Sequence, residues 1–385
     1  MAGRRFLLLH VTTSSGHHHA SRAIAHALRR LDPDCQIVNA DAFDYVGRFA
    51  RAGIMRSYLS LIRHYPDVWG YLYDNPAVHQ RVQHLRALLH QYHTRKLQRL
   101  LETVQPHAIA CTQAFPCGML ADFKKHRNLS TPLVGVLTDY APHLYWVHDA
   151  VDAYVVPAAE VKTRFLEHGI PASRIHVYGI PIDPAFLDPL DRPQLYRKWQ
   201  LDERLPVLLV MGGGSGFGPL QEVITHLDES QHPFQIVVLS GTNRSLQAWL
   251  RQHTFRHPVI AQGYVDDVHE LMELATAIIS KPGGLTTAEA LAKHVPLLIA
   301  TPIPGQEMCN TRFLLKHQAA VDITEMNRLG SLVDELLQNP TQLAQLRRCA
   351  QTLAQPRAAF DIAALLMRLA DNPHSECLTS ISSTN

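Results

Sequence analysis

The chain has few cysteines, no long apolar run and almost no net charge. Its six cysteines, at 35, 111, 117, 309, 349 and 376, are spaced neither as a zinc frame nor as a small disulfide scaffold, so reduced thiols are expected. No stretch approaches 18 apolar residues, which argues against a spanning helix. Arg4 and Arg5 precede an apolar run as in a signal peptide, but the run is too short and no small-residue cleavage site follows. A formal net charge of +2 provides no bulk field for nucleic acid. At 46% hydrophobic and 18% charged the chain is globular, and its 385 residues suit two domains rather than one core.

Apolar runs bounded by turn residues predict strands at 6–12, 35–40, 107–112, 132–137 and 152–156. A long, mostly helical stretch fills 43–104 between the second and third. Prolines and lost periodicity near 180–200 read as a linker. A second array then begins with "LPVLLVMGGGSGFGPL" and continues with strands at 234–239, 257–260, 276–280 and 296–300. Two successive βα arrays predict two doubly wound α/β domains facing a cleft. A helix is expected near 355–371, and the polar tail at 373–385 reads as disordered.

"TTSSGHHHASRAIAHAL" joins the first strand to the first helix. Three histidines are few for a purification tag, and their flanks are not linker. A metal site is disfavoured as well, because His17, His18 and His19 are consecutive and neighbours on a helix diverge by about 100°. The open alternatives are a working imidazole at a helix start or plain surface histidines.

Two glycine-rich turns carry further chemistry. Gly212-Gly213-Gly214-Ser215-Gly216 follows an apolar strand and precedes a helix, so backbone N–H groups can approach a phosphate there. No Lys-Ser/Thr pair follows, which excludes a Walker loop, and no acid follows a second strand as a dinucleotide fingerprint needs. A tight strand–helix turn is the plainer alternative. The second turn is "SKPGGLTTAEAL", with Glu289 placed to accept hydrogen bonds from ribose hydroxyls; it is followed by "PIPGQEMCN". Two helix starts on adjacent strands suit one anionic ligand, although Glu289 and Glu307 also favour helix starts by themselves.

"SKPGGLTTAEAL" with "PIPGQEMCN" resembles the donor-binding half of the glycosyltransferases that make monogalactosyl- and glucosyl-diacylglycerol, a family that includes the lipid-linked N-acetylglucosaminyltransferase of peptidoglycan synthesis. "GVLTDYAPHLYWVHDAVDAYVVPAAEVKTRFLEHGIPASRI" followed by "YGIPIDPAF" resembles the bacterial diacylglycerol glucosyltransferases in particular. The likeness spans roughly residues 6–330. It implies the GT-B fold: an acceptor- and membrane-binding Rossmann-like domain over 1–190, a UDP-sugar domain over 191–355, and a helix over 356–372 crossing back toward the first. It also implies inverting transfer from a UDP-sugar, with no cofactor and no obligatory metal. By the same resemblance Gly213, Gly214 and Ser215 hold phosphate. Gly263, Tyr264 and Val265 line the uracil, and Glu289 binds ribose. Gly284, Leu285 and Thr286 meet the diphosphate, and Gln306 and Glu307 the sugar. Gly16-His17 matches the family's Gly-His pair, which makes His17 the expected base, with a pKa near working pH. Ser14-Ser15 replaces the family's usual glycines. His18 and His19 are expected bystanders. Asp139 in "LTDY" either orients His17 or the acceptor, or caps a turn. Tyr145 and Trp146 either line the acceptor entrance or pack.

Phe43–Pro106 carries nine basic residues against four acidic ones, among Tyr58, Tyr65, Trp69, Tyr71 and Tyr73. Such a surface can lie on anionic lipid, or it is simply a solvated helix face. The resulting expectation is a cytoplasmic enzyme on the inner face of the cell membrane, moving glucose or galactose to diacylglycerol or its glycosylated product. Three alternatives stand beside it: a polyprenyl-linked or other lipid acceptor with a UDP-N-acetylglucosamine donor, a non-catalytic nucleotide-sugar or lipid binder, and a sugar-nucleotide epimerase of the same architecture.

Overall fold

The computed structural model describes residues 3–12, 15–45, 96–141, 144–302 and 305–372. They divide into two compact units: the described parts of Met1–Pro184 with Arg357–Asn385, and Ala185–Pro356.

The first unit holds β1 (Arg5–His10), β2 (Gln36–Asp41), β3 (Ala108–Cys111), β4 (Leu133–Val136), β5 (Ala153–Val156) and β6 (Ile175–Val177) in one sheet, in the order β2-β1-β3-β4-β5-β6. Every pairing is parallel. A parallel sheet is covered on both faces, which is why its inner strands β1, β3, β4 and β5 read as near-continuous apolar runs. Along β1, Leu7 and Leu9 join one core with Ile109 and Tyr154, while Phe6 and Leu8 join the other with Ile24 and Leu28. Burying each such side chain contributes about 1.5–3 kcal/mol. The chain leaves β1 toward β2 on one side and β3 lies on the other, so the winding reverses between β1 and β3.

The second unit holds β7 (Val207–Met211), β8 (Gln235–Leu239), β9 (Val259–Gln262), β10 (Ala277–Ser280), β11 (Leu297–Ile299) and β12 (Ala320–Asp322). Their order is β12-β11-β10-β7-β8-β9, again all parallel. The winding reverses between β7 and β10. In open α/β sheets ligands gather outside the carboxyl ends of the strands at such a reversal.

The sequence pattern misses β6 and β12, which are three residues each at sheet edges and only partly buried. It also reads 180–200 as linker, whereas Arg192–Trp199 is a helix capped by the Asp191 carboxylate. Only Leu195 is buried in that helix, so no apolar stripe signals it. The helix Ala358–Asp371 belongs to the first unit, where Ile362, Leu365 and Leu366 pack with Ile24 and Leu28 of the helix Gly16–Leu31. Arg4 ties its end with two 2.9 Å bonds to the Asp371 carboxylate.

Among the described residues no helix is long and apolar enough to cross a membrane. The basic, aromatic stretch lies outside the described residues from 46 to 95, as do Ser14, Pro304 and the 373–385 tail.

Candidate active site

In the first unit the carboxyl ends of β1, β3 and β4 converge on His17. The Thr12 N–H donates to the Asp41 carboxylate at 3.2 Å as the chain leaves β1. Ser15 then caps the helix: its Oγ accepts the His18 N–H at 3.3 Å and points its own proton at the Val11 and Thr12 carbonyls. Gly16 is exposed at the first helical position, and His17 follows, half-buried. The His17 Nδ1 lies 2.9 Å from the Thr112 carbonyl oxygen and 2.9 Å from Thr138 Oγ1. The Thr112 hydroxyl donates back to the His17 carbonyl at 2.8 Å.

A carbonyl oxygen only accepts, so the neutral ring carries its proton on Nδ1 and keeps a lone pair on Nε2. That is the tautomer a general base needs. Burial pushes the His17 pKa down to about 4, against the Thr112 bond, which raises it. This value lies below the working pH that the residue pattern alone implies for a catalytic imidazole. Packing at the end of three strands partly desolvates the ring, which favours its neutral form and lowers its basicity.

Asp139 is half-buried one residue beyond Thr138. Thr112 and Thr138 both meet His17 Nδ1. The His18 ring sits 4.5 Å from His10 and 5.7 Å from His19. Among the described residues no group of three His, Cys, Asp or Glu is arranged to hold a metal. Trp146 is 4% exposed and packs in the core, with the Tyr154 hydroxyl donating to its carbonyl. Tyr145 packs partly buried on the same core.

In the second unit the loops after β7, β8 and β9 interlock. The Thr242 N–H donates to the Gly214 carbonyl at 3.1 Å, and the Gly241 N–H donates to the Gly263 carbonyl at 3.2 Å. Two glycines are required by this contact. A Cβ on Gly216, whose φ is +60°, would lie 2.0 Å from the Ser240 oxygen, and one on Gly241, φ +55°, would lie 2.3 Å from the Gly214 oxygen. Among the described residues the N–H groups of Gly213, Gly214 and Ser215 donate to no protein acceptor. Tyr264 is 47% exposed, and Val265 beside it is half-buried.

The loops after β10 and β11 close the same edge. The helix Gly284–Ala292 starts with Gly284 buried and Leu285 and Thr286 half-buried. Glu289 lies in its second turn, 9% exposed. The helix Gln306–Lys316 starts after Gly305, whose φ is +97°. Its Gln306 is half-buried and its Glu307 9% exposed. Lys281 bonds the Glu307 carboxylate at 2.5 Å, and fully buried Asn310 donates to the Pro282 carbonyl at 2.9 Å. Two helix N-termini and a run of bare amides therefore meet at the β7/β10 reversal, a setting for an anion.

Sequence reasoning missed Thr112, Thr138, Gly241, Lys281 and Asn310. Lys281 was visible in "SKPGG" directly after a strand, and Gly241 in "LSGTN" two residues after one. The threonines had no such signal.

Residues 17–182 match the family of monogalactosyldiacylglycerol (MGDG) synthase, and residues 207–362 match the glycosyltransferase family 28 C-terminal domain. A processive diacylglycerol beta-glucosyltransferase of Bacillus cereus (strain AH187) is 32% identical over 271 residues, 70% of this chain and 69% of the relative. Among solved structures, MurG of Acinetobacter baumannii aligns over 95% of this chain and 99% of its own, with a TM-score of 0.64 at 15% identity. UDP-GlcNAc 2-epimerase from Neisseria meningitidis, bound to UDP-GlcNAc, aligns over 94% and 99% with a TM-score of 0.58 at 14% identity. These likenesses establish the fold as GT-B, two doubly wound Rossmann-like domains in one chain. With the sequence relatives added, the chain belongs to the glycolipid-synthesising glycosyltransferases of family 28, the group of the monogalactosyldiacylglycerol synthases and processive diacylglycerol glucosyltransferases.

Proposed function

We propose that the protein moves a hexose from UDP-glucose or UDP-galactose to diacylglycerol or a glycosyl-diacylglycerol, with inversion, at a membrane surface. The acceptor hydroxyl gives its proton to His17 Nε2 as its oxygen attacks the anomeric carbon. The bond from that carbon to the β-phosphate oxygen breaks, and UDP leaves with the electron pair. The Nδ1–H bond to Thr112 steadies the imidazolium that forms. The amides of Gly213, Gly214 and Ser215 and the helix starting at Gly284 meet the charge gathering on the diphosphate. Glu289 takes the ribose, Val265 the uracil through its backbone, and Gln306 and Glu307 the sugar.

The observation that carries the donor half is the run of amides without a protein acceptor at the β7/β10 reversal. The lipid acceptor is supported by the kinship with processive diacylglycerol beta-glucosyltransferases.

The test offers UDP-glucose, UDP-galactose and UDP-N-acetylglucosamine separately to the protein over vesicles of diacylglycerol and anionic lipid, with mass analysis of the lipids. Lipid-dependent UDP release with a glycosylated diacylglycerol is expected. Conversion of UDP-sugar without lipid, or lipid-independent release alone, would overturn the proposal.

A further inference from the structure

We infer that Lys281 is the cation that meets the donor's diphosphate, and that Glu307 holds it in position before the donor arrives. This rests on the donor reading above and deepens it.

Lys281 follows β10 directly, and β10 is the neighbour of β7 at the winding reversal. Its Cε lies 3.9 Å from where a Cβ on Gly213 would stand, so its stem runs along the turn that bears the bare amides. The loops after β7, β10 and β11, spanning 212–219, 281–283 and 300–305, contain one basic residue, and it is Lys281. They contain no acidic residue. Within these three loops Lys281 is thus the one side chain whose charge is opposite to that of a diphosphate.

The surroundings fix where that charge sits. Pro282 follows and restricts the backbone, while the Asn310 amide clamps the Pro282 carbonyl. The Lys281 Nζ bonds Glu307 Oε1, and the Thr311 hydroxyl bonds the Glu307 carbonyl at 2.8 Å. The pair is more than a surface ornament: the carboxylate is largely buried, and exposed pairs would contribute little. Lys has three rotatable donors, so Nζ can keep Glu307 and still reach a phosphate oxygen. Glu307, which the donor reading places at the sugar, would otherwise repel the anion beside it.

The test is calorimetric binding of UDP and of uridine to wild type, Lys281→Met, Lys281→Arg and Glu307→Gln, with thermal melts alongside. Lys281→Met should bind UDP about ten- to a hundredfold more weakly, the span of one lost charge-assisted bond, with uridine affinity unchanged. Lys281→Arg should restore part of the loss. Glu307→Gln should weaken UDP binding less than Lys281→Met does, since the cation remains but loses the carboxylate that holds it. Equal UDP affinity in wild type and Lys281→Met overturns the inference. So does an equal loss in Lys281→Met and Glu307→Gln, which marks the pair as a brace. Failure of wild type to bind UDP instead overturns the donor reading itself.

Discussion

His17 donates its Nδ1 proton to the main-chain carbonyl of Thr112 at 2.9 Å, a partner 95 residues away in sequence. A backbone acceptor cannot be lost by mutating a side chain and cannot donate in return. The tautomer is thus set by the fold of the sheet, and the lone pair on Nε2 follows from it.

Removing the ring should therefore separate chemistry from binding. His17→Ala is expected to lower kcat about 10²- to 10⁴-fold, the usual weight of a general base, with UDP affinity unchanged. Thr138→Val removes the second group on Nδ1 but leaves the Thr112 bond, so a loss of about tenfold or less in kcat is expected, with Thr138→Ser restoring it. Steady-state kinetics with a soluble short-chain diacylglycerol, beside UDP calorimetry, checks both. A His17→Ala variant as active as wild type would remove the base from the mechanism.

The pH profile follows from the same ring. The base works only when neutral, and burial pushes its pKa down to about 4. Activity should hold as pH falls from 7 to about 5 and drop as it falls through about 4, when His17 takes a proton. The quantity to measure is kcat/KM against pH, which reports the free enzyme. A limb near 6.5, the value for a solvated imidazole, would mean that the ring is hydrated in the working enzyme.

The interlocked glycine turns make a graded prediction. Gly216→Ala and Gly241→Ala place a Cβ 2.0 Å and 2.3 Å from backbone oxygens, which no rotamer change relieves. Both should lose UDP binding and melt earlier. Gly213→Ala also sits at positive φ, +70°, but its nearest neighbour is 3.9 Å away, the end of the Lys281 side chain. It bears only the left-handed backbone cost of about 1–2 kcal/mol. Melting temperatures and UDP affinities of the three variants should follow that order.

Most of the architecture was legible in sequence because parallel strands buried on both faces leave unbroken apolar runs. The eight inner strands carry such runs. The three-residue edge strands β6 and β12 do not, since only one neighbour and part of their surface enforce them. The glycine turns were legible because positive φ and close backbone contact select glycine whatever the ligand. Thr112 and Thr138 were not legible. One acts mainly through its carbonyl, which any residue has, and the other lies 121 residues from its partner. The depressed pKa of His17 was hidden for a related reason, because burial at the meeting of three strands belongs to the tertiary fold.

His10 gives the last prediction, about stability. It ends β1 at 3% exposure, against the His18 ring, and its Nδ1 finds no partner among the described residues. Burial, helped by His18, pushes its pKa down to about 4. Between about 6.5 and 4 the unfolded chain binds a proton on this residue and the folded chain does not. Stability therefore falls as pH falls through that window and levels off below it, where both states are protonated. The contribution is on the order of 2–3 kcal/mol across the window. His10→Leu fills the site without a titrating group. Its melting temperature should match or exceed wild type at pH 7, and its advantage should grow steadily toward pH 4.5. Parallel melting curves for the two proteins over that range would show that His10 stays hydrated in the fold and contributes nothing to acid sensitivity.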